Sequence, residues 1–195
     1  MDVASVCRAV HALPPADSGH PLPEKDIHKA LIMYIGLISD THGVFDARFK
    51  EFLAPVDQIW HAGDFGGGMG LAEEIAAFKP LLGVAGNCDN HELRFIHPLH
   101  RFFECEGMKV LMIHIGGYPG RYDPKARKLI DEYRPDIFVC GHSHILKVVR
   151  DPMRDMLVVN PGAAGIQGFH IVRTALRFHI NNGKIHDMEV FELER

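Results

Sequence analysis

From residue 31 onward, short apolar runs alternate with helical patterns, and this alternation restricts the chain to stacked βα units. The helical patterns cover residues 46–53, 70–78 and 123–133, and Asp123-Pro124 opens the last of them at the N-cap and N1 positions. The apolar runs predict strands at residues 31–39, 57–62, 81–85, 109–114, 136–140 and 157–160. The sequence therefore predicts an α/β domain.

The two ends of the chain depart from this alternation. Residues 145–150 predict a strand that follows its predecessor without a helix, and the tail forms two alternating segments around Asn181-Asn182-Gly183, a hairpin signal. Residues 1–29 contain four prolines in "HALPPADSGHPLPEKD" and no periodic apolar face, which predicts a poorly ordered N-terminal extension. We expect one domain over residues 30–195, and Met33 is an alternative start site.

Composition excludes several classes of protein. A net charge of −4 over 195 residues argues against a broad surface for nucleic acid or anionic membrane. The four cysteines form no CxxC pair and no regular framework, so we expect a reducing cytoplasm and neither a zinc knuckle nor a disulfide scaffold. No apolar run reaches the roughly 18 residues of a transmembrane helix.

Polar residues recur where the apolar runs stop. The carboxyl ends of strands line the ligand crevice of open α/β sheets, so these residues predict one site at a sheet edge. In chain order the polar residues are Asp40 and His42, Asp64, Asn87, His114, His142 and His144, and Asn160-Pro161-Gly162.

Each of these residues has an ordinary structural explanation when taken singly. An Asp or Asn before glycine is usually a turn former, and an isolated His114 is more often a buried histidine with satisfied hydrogen bonds. The pairs Asp40-x-His42 and His142-x-His144 are harder to explain in this way, because residues i and i+2 of an extended chain point to the same side. The set as a whole favours a metal site.

The donor types indicate which metals fit. Imidazole and carboxylate without thiolate suit Mn, Fe, Zn, Co or Ni better than Mg or Ca, which prefer oxygen shells. Two carboxylates, four imidazoles and one amide exceed the ligands of a single tetrahedral ion. We therefore expect two divalent transition metal ions.

The ordered set Asp-x-His, Gly-Asp, Gly-Asn, His, Gly-His-x-His and Asn-Pro-Gly resembles the calcineurin-like metallophosphoesterases, in particular their small single-domain bacterial and archaeal branch. The resemblance covers about residues 33–195. It implies a four-layer αββα sandwich, in which two mixed sheets are flanked by helices. It also implies one ion held by Asp40, His42 and His144, a second held by Asn87, His114 and His142, and Asp64 as the bridge.

The same resemblance implies a function. Hydrolysis of a small phosphomonoester or phosphodiester is expected by attack of a metal-bound hydroxide held at Asp64, without a covalent enzyme intermediate. Manganese is the preferred ion of the expected set, and a homodimer is compatible with the sequence.

The chain departs from the family pattern at two positions. Many relatives have a His after the Asn, where this chain has Cys88, and a neutral thiol is a poor general acid at pH 7. The general acid is therefore unassigned, since His91 is expected to face solvent. His114 is followed by Ile115 where many relatives have glycine, so the shape of the next loop can differ.

Other residues are candidates for substrate contacts. Asn87 and Arg121 are the substrate-binding candidates, and Tyr118 is expected to rim the same pocket. An exposed loop arginine remains the alternative for Arg121. His170 and Arg173 are further candidates for substrate contacts, with less support from the sequence.

Two other functions stay open at this point. Some proteins that resemble the family serve as interaction scaffolds with a degraded metal site, although this chain has the complete ligand set. A dinuclear hydrolase acting on a non-phosphate ester or amide is the other alternative.

Overall fold

A computed structural model describes residues 32–195, so the predicted N-terminal extension lies outside the described residues. The helices are α1 Ala47–Leu53, α2 Met69–Phe78, α3 His91–Ile96 and α4 Pro124–Tyr133. The strands are β1 Met33–Ile38, β2 Gln58–His61, β3 Leu81–Gly83, β4 His100–Cys105, β5 Met108–Ile113, β6 Gly117–Tyr118, β7 Arg121–Tyr122, β8 Ile137–Val139, β9 Leu146–Asp151, β10 Met156–Pro161, β11 Val172–Asn181 and β12 Lys184–Glu194.

Two mixed five-stranded sheets form the centre of the fold. The first has the order β12-β11-β1-β2-β3, with β1, β2 and β3 parallel and the two C-terminal strands antiparallel. The second has the order β4-β5-β8-β10-β9, with β5, β8 and β10 parallel and an antiparallel strand at each edge. Each sheet therefore has three adjacent parallel strands whose carboxyl ends share one edge.

Alternating side chains divide the interior into three apolar layers. One face of each sheet supplies the core between the sheets, where Ile35 of β1 and Val159 of β10 are buried. The other face of the first sheet packs on α1 and α2, and the other face of the second sheet packs on α4. The predicted four-layer αββα sandwich is confirmed.

Local signals place the element ends close to their predicted positions. Asp46 caps α1 by accepting from the Arg48 amide, and Asp123 caps α4 with Pro124 in the first turn. The C-terminal hairpin forms around Asn182 and Gly183, which both have positive φ as its tight turn requires.

The sequence did not predict the segment between β3 and β5. This segment contains α3, which is six residues long, and the edge strand β4. The signals are short: Asn90 caps α3, and the turn that joins β4 to β5 consists of Glu106 and Gly107 at positive φ. The small hairpin β6–β7 also follows from its turn and not from an apolar pattern.

None of the helices within residues 32–195 is long and apolar enough to span a bilayer.

Candidate metal centre

The predicted ligands lie in the loops at the carboxyl ends of the parallel strands. Asp40, Asp64 and Asn87 follow β1, β2 and β3 of the first sheet, whereas His114 and His142 follow β5 and β8 of the second. The expectation of one sheet edge was wrong in this respect, because the edges of two packed sheets meet at the site. Within each sheet these strands are parallel, and the His142 amide donates to Asp40 Oδ2 across the two sheets, so the loops of both sheets meet on the same side.

Asp40, His42 and His144 form the first group of ligand atoms, with one atom from each residue within 4.8 Å of the others. Asp40 Oδ1 lies 3.2 Å from His144 Nε2 and 3.9 Å from His42 Nε2, and the two imidazole nitrogens are 3.3 Å apart. All three atoms therefore face one point, as ligands of a single cation do.

Asp64, His114 and His142 form the second group within the same limit. Asp64 Oδ2 is 3.2 Å from His114 Nε2 and 4.0 Å from His42 Nε2 of the first group. This carboxylate oxygen lies between the two groups, where a bridging ligand is expected. His142 and His144 fall into different groups, although a single residue separates them.

Both pairs adopt a backbone that differs from the predicted one. The sequence interpretation assumed an extended chain, but Asp40, His42, His142 and His144 all have φ between 45° and 66°. Asp64 has φ 55° and shares this left-handed conformation. The side chains converge because the chain turns sharply after each strand, and Asp and His tolerate this region better than most residues.

Backbone contacts fix the orientation of both carboxylates. Asp40 Oδ2 accepts from the His142 amide at 3.0 Å, which leaves Oδ1 facing the first group. Asp64 Oδ1 accepts from the Cys88 amide at 2.8 Å, which leaves Oδ2 between the groups. Each carboxylate thus has one oxygen bound to the protein and one directed into the site.

His170 sets the tautomer of His144 through a relay of hydrogen bonds. Its Nε2 lies 3.0 Å from the Gly165 carbonyl oxygen, which only accepts, so Nε2 carries the proton. Burial lowers the pKa of His170, so the ring is neutral and its Nδ1 accepts from His144 Nδ1 at 3.1 Å. His144 Nε2 is then unprotonated and presents a lone pair to the site.

His114 is oriented in the same way by the main chain. Its Nδ1 lies 2.8 Å from the Ala62 carbonyl oxygen and donates to it, so Nε2 is the nitrogen that faces Asp64. Burial alone would lower the pKa of His114, but the carboxylates of Asp64 and Asp40 outweigh burial and raise it. Burial would raise the pKa of Asp64, but its contact with His114 and the hydrogen bond from the Cys88 amide outweigh burial and lower it.

The residues fit a metal better than they fit one another. Asp40 Oδ1 and His114 Nε2 are buried and have no hydrogen-bond partner within residues 32–195. Asp40 Oδ1 instead faces the lone pair of His144 Nε2, and two electron-rich atoms at that distance repel each other without a cation. The donor set of imidazole and carboxylate suits divalent transition ions.

A family comparison agrees with this geometry. The model of the calcineurin-like phosphoesterase superfamily domain matches residues 33–183. The chain belongs to this superfamily. Over 141 residues it is 35% identical to a probable metallophosphoesterase of Methanothermobacter thermautotrophicus, which covers 67% of this chain and 77% of that protein.

Solved structures share the fold of this phosphoesterase domain. Entamoeba histolytica Vps29 complexed with Zn²⁺ has a TM-score of 0.64 at 16% identity, covering 83% of this chain and 99% of that one. A predicted phosphoesterase from Streptococcus pneumoniae has a TM-score of 0.56 at 19% identity, covering 85% of this chain and 99% of that one.

Hydrogen bonds outside the ligand groups hold the ligand loops of the phosphoesterase domain together. Asn160 of β10 is no ligand: its Nδ2 donates to the Gly141 carbonyl oxygen at 2.7 Å and to Ser143 Oγ at 3.1 Å. A Cβ at Gly141 would lie 2.0 Å from Ser39 Oγ and 2.9 Å from Asp40 Oδ2, so a larger residue there would displace side chains of the site. Asn160 and Gly141 together determine where the loop with the two histidines runs.

His61 fastens the first two ligand loops of the phosphoesterase domain. Its Nδ1 accepts from the Gly63 amide at 3.1 Å, so its Nε2 donates to Thr41 Oγ1 at 2.9 Å. Complete burial lowers the pKa of His61, which keeps the ring neutral in this role. The sequence placed His61 at a strand end but did not indicate this function.

Asn87 and Cys88 follow β3, and both lie close to the ligand groups. Asn87 lines the same cleft as His114, and its amide donates to Cys88 Sγ at 3.3 Å. Cys88 Sγ forms a third ligand group with His42 and Asp64. Burial and the neighbouring Asp64 raise the pKa of this thiol, so it stays protonated at neutral pH.

Arg121 and Tyr118 line a cleft next to His142, and His91 is exposed, as expected. The suspicion about Arg173 was wrong, because this buried side chain pairs with Asp46 at 3.0 Å and supports the α1 side of the fold. His170 lies in the loop before β11.

Loss of the His170 relay should weaken metal binding. We expect His170→Ala to lower affinity at the Asp40–His42–His144 group by about 10- to 100-fold, the usual effect of removing a partner that orients a ligand. The reason is that His144 then loses the acceptor that fixes its tautomer. Competition with a fluorescent chelator measures this affinity.

The matched control is His186→Ala, which removes an exposed histidine from β12. Unchanged Mn²⁺ affinity in His170→Ala, equal to that of the control, would show that the relay does not orient His144.

Proposed function

We propose that this chain is a dinuclear metal-dependent phosphoesterase that hydrolyses small phosphate esters. The observation that carries the proposal is the convergence of two ligand groups around Asp64, each with a buried atom that has no hydrogen-bond partner within residues 32–195. Asp40, His42 and His144 would hold one ion, and Asn87, His114 and His142 the other. Asp64 would bridge them.

The charge of the site supports an anionic substrate. Asp40 and Asp64 contribute two negative charges, which do not neutralise the charge of two divalent ions. Bound together, such ions orient phosphate oxygens, lower the pKa of water and stabilise an in-line displacement. Around them, the chain supplies oriented ligands: the His142 and Cys88 amides and the Ala62 carbonyl fix the carboxylates and His114.

Manganese is our proposed ion, with Zn, Fe, Ni and Co as alternatives, since the donors are nitrogen and oxygen without thiolate. We leave Cys88 outside both ligand sets, because its Sγ groups with His42 and Asp64 and not with a complete set of either ion.

An interaction scaffold is the second candidate function, which the shared fold of Vps29 leaves open. One experiment separates it from the enzyme. Purified protein is assayed with a panel of aryl and alkyl phosphate monoesters, diesters and carboxyl esters in Mn²⁺, Zn²⁺, Ni²⁺ or chelator, and bound metal is counted by mass spectrometry. We expect two ions per chain and hydrolysis of phosphoesters that chelator abolishes.

Less than one bound transition metal per chain, without hydrolysis after addition of Mn²⁺, would favour the scaffold. Hydrolysis confined to the carboxyl esters would favour the non-phosphate alternative.

The rate of hydrolysis should depend strongly on the leaving group of the phosphoester. We expect aryl phosphoesters to react much faster than alkyl ones, because the protonated Cys88 thiol cannot donate efficiently to an alkoxide. Cys88→His should narrow the aryl-to-alkyl ratio of kcat/KM by at least about tenfold, since a positioned general acid contributes about 10² to 10⁴ in rate. Paired p-nitrophenyl and alkyl esters measure the ratio.

Cys88→Ser is the control, because a hydroxyl at this position is no better acid than the thiol. Equal wild-type rates on aryl and alkyl esters would reveal another general acid.

A further inference from the structure

A cleft of about 340 Å³ opens beside the metal centre. The β6–β7 hairpin lines one side and the loop after β8 lines the other, and His142 belongs both to this cleft and to the second ligand group. A phosphoester bound at the ions can therefore extend one of its substituents directly into the cleft.

Two cationic side chains, Arg121 and Lys147, line this cleft. Neither has a carboxylate within 4.0 Å in the part of the chain from residue 32 to 195. The Lys147 ammonium lies 4.1 Å above the Tyr118 ring, which holds the charge in place without neutralising it. The cleft thus has two positive charges available for an anion.

Asp123 is the acidic residue that lines the cleft, and it is bound to the main chain of α4. Asp123 Oδ1 accepts from the Lys125 and Ala126 amides at the start of α4, which is its N-cap role. The remaining walls include Ile115 and Val158, which offer apolar surface. A ligand that fits such a cleft has an apolar body and an anionic end.

We propose that Arg121 and Lys147 form a second anion subsite, so that the substrate is a phosphoester whose alcohol part carries a further phosphate or carboxylate. This inference rests on the proposed function, because it assumes that the reacting phosphate binds at the metal centre. Arg121 offers a planar fork of donors for such an anion, and Lys147 a point charge. Tyr118 is a positioning residue for Lys147.

The test uses two substrates that differ in one group: thymidine 5′-(p-nitrophenyl phosphate) with and without a 3′-phosphate. Release of p-nitrophenolate by the Mn²⁺-loaded protein follows both. The 3′-phosphate should lower KM by at least about tenfold, because charge-assisted hydrogen bonds to phosphate are roughly twice as strong as neutral ones. Arg121→Met and Lys147→Met should each lose most of this preference.

Lys128→Met is the matched control, since it removes an exposed positive charge from α4 away from the cleft. It should keep the preference. Equal KM for both substrates in the wild type, or a preference that survives in Arg121→Met and Lys147→Met, would overturn the inference.

A binding measurement separates this inference from the proposed function. If the protein hydrolyses neither ester, the proposed function fails, and calorimetry then compares thymidine 3′,5′-bisphosphate with thymidine 5′-phosphate. At least about tenfold tighter binding of the bisphosphate, lost in Lys147→Met, would support the anion subsite without catalysis. Equal affinities would overturn it.

Discussion

Asp64→Asn should lower phosphoester hydrolysis by more than about a hundredfold, because removing even a partner that merely orients a ligand costs about 10- to 100-fold. Asp64 is itself a proposed ligand of both ions, so its loss should cost more than that of an orienting partner. Its Oδ2 lies 3.2 Å from His114 Nε2 and 4.0 Å from His42 Nε2, between the two ligand groups. The lowered pKa of Asp64 also keeps it ionised at neutral pH.

The substitution is nearly isosteric, so the Cys88 amide can still donate to the remaining side-chain oxygen. The change therefore removes a charge and leaves the loop in place. Values of kcat/KM on bis(p-nitrophenyl) phosphate and the metal content per chain measure the effect. Asp155→Asn, in an exposed turn, is the control. Retention of both metals and full activity by Asp64→Asn would refute the dinuclear mechanism.

His142→Ala and His144→Ala should each remove one ion of the pair and leave the other. His144 groups with Asp40 and His42, whereas His142 groups with Asp64 and His114. Each alanine therefore deletes a ligand from its own group, and the remaining groups keep Asp64 as a shared donor. We expect the metal content to fall from about two per chain to about one in either variant, with hydrolysis lost in both, since the two-metal clamp requires both ions.

Metal counting and electron paramagnetic resonance of Mn²⁺-loaded protein check this result, because the signal of a coupled pair differs from that of an isolated ion. His91→Ala provides the control, since His91 is exposed at the start of α3. Loss of both ions from either variant would show that the groups are not independent, and no loss from either would exclude both histidines as ligands.

The parts of the fold that repeat a strong apolar pattern were predictable. The apolar composition of β8 and β1 predicts both strands, since β8 is buried throughout and β1 over most of its length. Asp123-Pro124 marks the start of α4. α3 and β4 were missed because one is short and the other, an edge strand, has a single buried residue, Cys105, and therefore no clear apolar alternation. Their determinants are the Asn90 cap and the Glu106-Gly107 turn, which are signals of single residues.

The candidate site was predictable in its residues but not in its geometry. The positions after the strands were apparent, whereas the left-handed turns at Asp40 and His142 and the hydrogen bond that joins them across the two sheets were not. His170 orients His144 from 26 positions further along the chain. Lys147 of β9 and Arg121 of β7 line one cleft although their strands belong to different sheets, and no local sequence pattern predicts such proximity.

The left-handed backbone at the ligand positions has a consequence for the history of the chain. Glycine adopts this conformation freely, whereas other residues with a Cβ are strained there by about 1–2 kcal/mol each. Five predicted ligands keep their side chains in it: Asp40, His42, Asp64, His142 and His144. Glycine at these positions would relieve the strain, so we expect side chains to persist there only where they bind a ligand. In a lineage that kept only a scaffold, these would be the first positions to drift toward glycine.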